Sequence, residues 1–121
     1  MSPLRWLVLI VFHFHILSVS PATADMNTED FIEYIDGSKE SEGIALFYIV
    51  SAYSAFQVAN VKLANLGREL LFCVDNSARL TERELAFLVA LEIEAANLPL
   101  GSDVSVAIVL LDLLSGLFPC D

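Results

Sequence analysis

The strongest constraint on the fold is a pair of cysteines, Cys73 and Cys120, the only two in this chain of 121 residues. They bracket two stretches with helical periodicity, so a bond between them would close a helical hairpin. Only one intramolecular pairing is available, and on the chain-entropy account it would stabilise the folded state by about 4 kcal/mol. An intermolecular bond and two free thiols are the alternatives.

The second bracketed stretch, residues 103–118, is apolar on nearly all sides. Ser102 is suited to cap a helix there, and Asp103 would lie at the positive end of its dipole. A helix that is apolar all round needs cover on every side. We therefore expect either a fully central helix or a homodimer through residues 103–118. At about 16 residues, and with Asp112 inside it, the run is too short and too polar for a membrane span.

Residues 1–24 have the composition of a cleavable signal peptide. Arg5 supplies the basic start, residues 6–17 the apolar stretch, and residues 22–24 (Ala-Thr-Ala) a cleavage site of the A-x-A type. An uncleaved N-terminal anchor is the alternative. We expect export, after which residues 25–121 form one domain with no membrane segment. Outside the cytoplasm the two cysteines can form a disulfide.

The charge balance limits the partners of this domain. Removing the leader takes one of the six basic residues, Arg5, and none of the 16 acidic ones, so the remaining chain carries a net charge of about −11. A chain this acidic repels nucleic acid and anionic membranes. The charge instead suits a basic protein partner, or simple solubility outside the cytoplasm.

Two helices are predicted before the cysteine frame. The first begins near residues 27–28 and ends at Gly37, which would be the C′ glycine that commonly follows the last turn of a helix. Residues 38–43 are polar and acidic, and we expect them to form an exposed turn. A long helix over residues 44–66 follows, closed by Gly67, with small side chains along its middle that permit close helix approach.

Inside the frame, Thr81 and Glu84 fit a capping box, which predicts a helix from there to about residue 97. Its expected buried side is formed by Leu85, Leu88, Leu91, Ala95 and Leu98. With the terminal helix this makes four helices joined by short connections and no strand. The predicted fold is all-α: a small disulfide-stapled four-helix bundle.

Catalytic chemistry is not expected. Both histidines, His13 and His15, lie in the leader, so residues 25–121 lack the commonest general base and metal ligand. There is no Gly-rich phosphate loop. We predict no catalytic residue, no metal and no cofactor, and a protein that works by occupying a partner.

Several short motifs follow one another along residues 25–121. In order they are Phe31-Ile32-Glu33-Tyr34, Ala45-x-x-Tyr48, Leu71-Phe72-Cys73-Val74, Thr81-x-x-Glu84-Leu85 and Leu110-x-x-Leu113 with Phe118-Pro119-Cys120. This order resembles the Rap/Tai immunity proteins of type VI secretion systems. The most specific piece is the pairing of Phe72-Cys73 with Phe118-Pro119-Cys120.

The resemblance implies a periplasmic, all-helical protein, often a dimer, with residues 25–121 as a single immunity-type domain. Such proteins bind a papain-like peptidoglycan amidase injected by sister cells and plug its cleft sterically, without catalysis. The resemblance also implies the disulfide Cys73–Cys120. Many members carry a second cysteine pair and a proline soon after the Phe-Cys motif, and this chain has neither.

The family motif fixes no inhibitory residue, so the predicted contact residues are those of the exposed turns: Lys39, Glu40, Glu42, Asp75, Asn76 and Asp103. The alternative function is a small helical acid-stress chaperone of the periplasm, also held by one disulfide. Such a chaperone would expose apolar surface at low pH as its carboxylates become protonated.

Overall fold

The computed structural model describes residues 25–75, 79–97 and 104–121, which contain four α-helices and an isolated bridge between Asn27 and Ser105. The helices are α1 (Thr28–Asp36), α2 (Lys39–Asn65), α3 (Glu82–Ala95) and α4 (Val106–Leu117). Helix α2 packs against all three others, and α3 also contacts α4. In these ranges the predicted all-α bundle is confirmed, and so is its Cys73–Cys120 disulfide.

Each helix begins at a side chain that caps it. Asn27 Oδ1 accepts a hydrogen bond from the Asp30 N–H (2.8 Å), and Ser38 Oγ accepts one from the Ser41 N–H (3.2 Å). The predicted capping box of α3 is present, with Thr81 and Glu84 each satisfying a backbone N–H of the other. Ser105 Oγ accepts from the Ala107 N–H at the start of α4 (3.2 Å).

Two predicted helix starts were wrong. Residues 38–43 do not form an exposed turn, because Ser38 caps α2 and the acidic side chains of the next residues fall in its first turn, where the helix dipole favours them. The last helix begins at Val106 rather than at residue 103. Its start is fixed by the Ser105 cap and by a hydrogen bond from the Val106 N–H to the Met26 carbonyl (2.8 Å). The predicted cap Ser102 lies outside the described residues.

The two predicted glycine stops differ in kind. Gly67 has φ +65° and completes a Schellman motif, in which its N–H donates to the Ala64 carbonyl and the Arg68 N–H to the Leu63 carbonyl. Gly37 has φ −88° and is not a left-handed C′ residue. Glycine suits that position because a Cβ atom there would lie 2.5 Å from Ser41 Oγ.

The predicted buried side of α3 is correct at Leu85 and wrong elsewhere on the described helix. Leu91 is 44% exposed, Leu88 is half-buried and Ala95 is exposed. The core residues are instead Leu85, Ala86, Val89 and Ile93. Leu85, Val89 and Ile93 follow an i, i+4, i+8 row, with Ala86 beside it, because α3 packs against α2 and α4 along one ridge. Leu98 lies outside the described residues.

Helix α4 is covered better than its composition suggested. Val106, Val109, Leu110 and Leu114 are buried against α2 and α3. The large apolar side chains that α4 leaves exposed are Ile108 and Leu117. The homodimer through residues 103–118 stays a prediction, and this helix offers it a small apolar area.

An extended segment, residues 71–74, is held between α2 and α4. The Phe72 ring is buried and stacks on Tyr53 of α2, with ring centroids 6.2 Å apart. The Asn60 side chain of α2 accepts from the Leu71 N–H (2.7 Å) and donates to the Phe72 carbonyl (2.8 Å). One amide side chain therefore satisfies two backbone groups of this segment, as a neighbouring strand would do in a sheet.

Helix α4 and the residues after it hold the other side of the segment. Ser115 Oγ donates to the Leu71 carbonyl (3.0 Å), and the Cys73 N–H donates to the Phe118 carbonyl (2.8 Å). The disulfide then joins Cys73 to Cys120, whose Cα atoms are 5.0 Å apart. The covalent bond and the hydrogen bonds act on the same short segment.

We predict that Asn60→Ala lowers the free energy of unfolding by about 1–3 kcal/mol, because it leaves two part-buried backbone groups without their partner. Urea denaturation measures the change. The control is Gln57→Ala, an exposed position on the same helix, which should stay within about 0.5 kcal/mol of the parent. Equal losses in the two variants would show that the Asn60 amide has no special role.

Removing the disulfide should cost about 2–4 kcal/mol, since the Cys73→Ser/Cys120→Ser variant frees a loop with a sequence separation of 47 residues in the unfolded chain. Thermal unfolding of the double variant and of the parent in reductant should agree. A parent protein whose melting temperature is unchanged by reductant would contradict this prediction.

Candidate partner-binding surfaces

Three of the predicted contact residues lie together in the first turns of α2. Lys39 and Glu40 are exposed, whereas Glu42 is half-buried. The Glu42 carboxylate forms an ion pair with Arg83 of α3, with 2.6 Å between Oε1 and Nη1. The structure therefore links this part of the sequence-predicted contact surface to the start of α3.

A cleft of about 520 Å³ opens beside this ion pair. Its apolar wall comes from all three neighbouring helices, with Ile35 on α1, Leu46 on α2, and Ala86 and Phe87 on α3, while Glu42, Arg83 and Glu84 supply charged groups. The Phe87 side chain is 62% exposed. An apolar cleft with an acidic edge can accept an apolar side chain of a partner next to a basic one.

Asp75, the remaining predicted contact residue within the described ranges, lies away from this cleft. Asp75 is exposed and follows Val74, which lies beside Tyr53 on α2. Tyr53 is about three turns, or roughly 16 Å, along the helix from Glu42. Asn76 and Asp103 lie outside the described residues.

Hydrogen bonds lower the pKa of two exposed carboxyls. The pKa of Glu84 is lowered first by the Thr81 N–H (2.7 Å) and then by the Thr81 hydroxyl (2.9 Å). The pKa of Asp25 is lowered mainly by the Ser105 hydroxyl (2.6 Å) and next by the Tyr48 hydroxyl (3.0 Å). Asp25 thereby ties the start of the domain to the start of α4 and to α2.

A second surface is the outward face of α2, which the sequence analysis missed. Phe47 is 73% exposed and Val58 is 70% exposed, and Ile44 and Val61 are exposed as well. No charged residue occurs between Glu42 and Lys62. That 19-residue stretch without charge was the available signal, and its exposure could not be told from the sequence because a bundle helix usually buries its apolar residues.

Helix α2 is also long and apolar enough to cross a membrane, judged by length and composition alone. Only 11% of its most apolar 18-residue window is buried inside the bundle. Along one edge of the exposed face runs a groove of about 390 Å³, lined by Asp25, Tyr48, Ser51, Ala52, Ala55, Phe56 and Ala107. The floor of the groove consists largely of short side chains.

Within the described ranges, no group of three or more His, Cys, Asp or Glu side chains is placed to hold a metal ion. The two cysteines are joined to each other. What these surfaces offer is apolar and acidic contact area.

No family model, curated protein or solved structure matches the chain.

We predict that stability falls as the pH drops below about 4, in part through Asp25. Because its folded-state pKa lies below the ordinary value of 3.8, its contribution is complete above that value and is lost as the pH falls through the folded pKa. Asp25→Asn should therefore reduce the difference between the urea midpoints measured at pH 7 and pH 3. Glu92→Gln, which removes an exposed carboxyl on α3, is the control, and an identical pH profile in all three proteins would contradict the prediction.

Proposed function

We propose that this protein is a periplasmic immunity protein that binds a papain-like peptidoglycan amidase, an effector of a type VI secretion system, and blocks it sterically. The observation that carries the proposal is the Phe72-Cys73 motif paired with Phe118-Pro119-Cys120. In the folded chain the two motifs meet through the disulfide and through the bond between the Cys73 N–H and the Phe118 carbonyl. The resemblance to the Rap/Tai proteins rests most heavily on this pair.

The composition of the domain supports a protein that inhibits by filling its partner's cleft rather than by catalysis. Residues 25–121 contain no histidine that could act as a general base. A blocking protein needs only a rigid surface that fits the partner's cleft and excludes substrate. Rigid elements hold such a surface at lower entropic cost than flexible loops.

We place the amidase contact at the cleft between α1, α2 and α3. The cleft is apolar inside, is edged by the acidic first turn of α2, and exposes the Phe87 ring for insertion into a partner. Large aromatic side chains in a partly enclosed position are frequent hot spots of protein interfaces. The net charge of about −11 would favour encounter with a basic enzyme surface.

A periplasmic acid-stress chaperone is the second candidate, and the exposed apolar face of α2 favours it. A holdase binds unfolded clients through such surfaces. Protonation of Asp25 in acid would also weaken its hydrogen bonds to Ser105 and Tyr48 and so expose more apolar area. Holdase activity and dye binding that rise steeply near pH 2, with no effect on any amidase, would support the chaperone and not the inhibitor.

The test titrates the protein against the amidase encoded in the neighbouring gene and measures peptidoglycan hydrolysis. We expect full inhibition at about one domain per enzyme, and Phe87→Glu should weaken binding at least roughly tenfold. Ile108→Glu introduces the same charge at a comparably exposed apolar position on α4 and is the matched control. An amidase that stays fully active with excess protein would reject the proposal.

A further inference from the structure

The exposed face of α2 has a heptad spacing. Six residues recur along it at alternating intervals of three and four: Ile44, Phe47, Ser51, Ser54, Val58 and Val61. All six are exposed in the single chain. Alternation of three and four keeps residues on one narrow stripe, which is the spacing by which two helices pack along their length. The stripe is about 26 Å long.

The order of large apolar and short polar residues along the stripe is the same in both directions. Reversal about its midpoint pairs Ile44 with Val61 and Phe47 with Val58, so that large apolar residues oppose large apolar residues. It pairs Ser51 with Ser54, so that the two short polar residues meet at the centre. Such a surface is self-complementary under a two-fold axis, which is the symmetry of most homodimers.

We propose that a second copy of this chain binds the exposed face of α2, with the two α2 helices antiparallel and Ser51 of each copy opposite Ser54 of the other.

Charge favours this surface and this direction. Two copies with about −11 each repel, and a contact along a stripe without acidic groups adds least to that repulsion; no charge occurs between Glu42 and Lys62. In the antiparallel arrangement Lys62 lies within one turn of the partner's Glu40. Neither residue forms an ion pair within its own described chain. A parallel arrangement would instead place the two Glu40 side chains together.

The shape of the surface also fits a helix. The short side chains of Ser51, Ser54 and Ala55 let two backbones approach closely at the centre of the stripe. The Phe47 ring, the most exposed large apolar side chain in the described chain, would lie over the partner's Val58. The groove that shares Ser51 and Ala55 with this surface gives room for flanking side chains.

A lipid bilayer fits the same face less well. The centre of the stripe is polar, with two serines where a lipid-facing helix would be continuously apolar. The opposite side of α2 carries core residues, including the buried Ala45 and Ile49, so the bundle would have to open for α2 to span a membrane. The acidic domain is also repelled by anionic lipid.

The experiment measures the solution mass of the full chain, expressed in its oxidised form, by sedimentation at micromolar concentration. We expect twice the mass of one chain, and Phe47→Glu and Val58→Glu should each raise the dimer dissociation constant at least roughly a hundredfold. Phe87→Glu changes another exposed phenylalanine, on α3, and is the matched control that should remain dimeric. Because the changed side chains are exposed, circular dichroism should show unchanged helix content.

Cross-linking tests the direction of the helices. Ser51→Cys and Ser54→Cys proteins that are mixed and mildly oxidised should form a mixed disulfide-linked dimer several times faster than either forms one alone. Faster self-linking of each variant would indicate parallel helices and overturn the proposed pairing. A monomeric parent, a dimer that survives both glutamate substitutions, or a monomer that binds phosphatidylcholine vesicles through Phe47 would overturn the proposal itself.

Discussion

The fold depends on how one short extended segment is held. Residues 71–74 run between α2 and α4 with no strand beside them in the described part of the chain, yet they carry the buried Phe72 into the core. Buried backbone groups without partners are costly, so the segment can stay there only if side chains replace a strand. Asn60 does so from α2, Ser115 does so from α4, and the disulfide limits how far the two sides can separate.

This arrangement leaves α2 packed on one side. Its inward residues meet α1, α3, α4 and the held segment, while the opposite side carries an uncharged stripe of exposed residues. A bundle of this size cannot surround a 27-residue helix with three shorter ones. The surface that results is suited to protein contact, and it is separate from the cleft at the start of α3.

Features governed by local chemistry could be predicted from the sequence. The helix start near residues 27–28, the capping box of Thr81 and Glu84, and the helix end at Gly67 depend on a few neighbouring residues, and the structure has all three. With only two cysteines, Cys73–Cys120 was the one possible intramolecular disulfide, and the structure contains it. Ser38 was missed as a cap because the polar residues after it also fit a turn.

Features governed by tertiary contact could not be predicted in the same way. The role of Asn60 depends on a backbone segment that comes close only in the fold. The exposure of α2 depends on how many helices surround it, and periodicity does not report that number. The cleft beside Glu42 and Arg83 likewise needs three helices to be assembled, and only Glu42 among its lining residues had been predicted as a contact residue.

The joining of Asp25 to Ser105 has a consequence for the order of assembly. The two residues are 80 positions apart, and the Met26 carbonyl is also bonded to the Val106 N–H. Contacts of such long separation form late, since most of the chain must already be in place. We therefore expect residues 25–26 to reach their final position only after α4 has packed against the bundle, and α1, which follows them directly, to do the same.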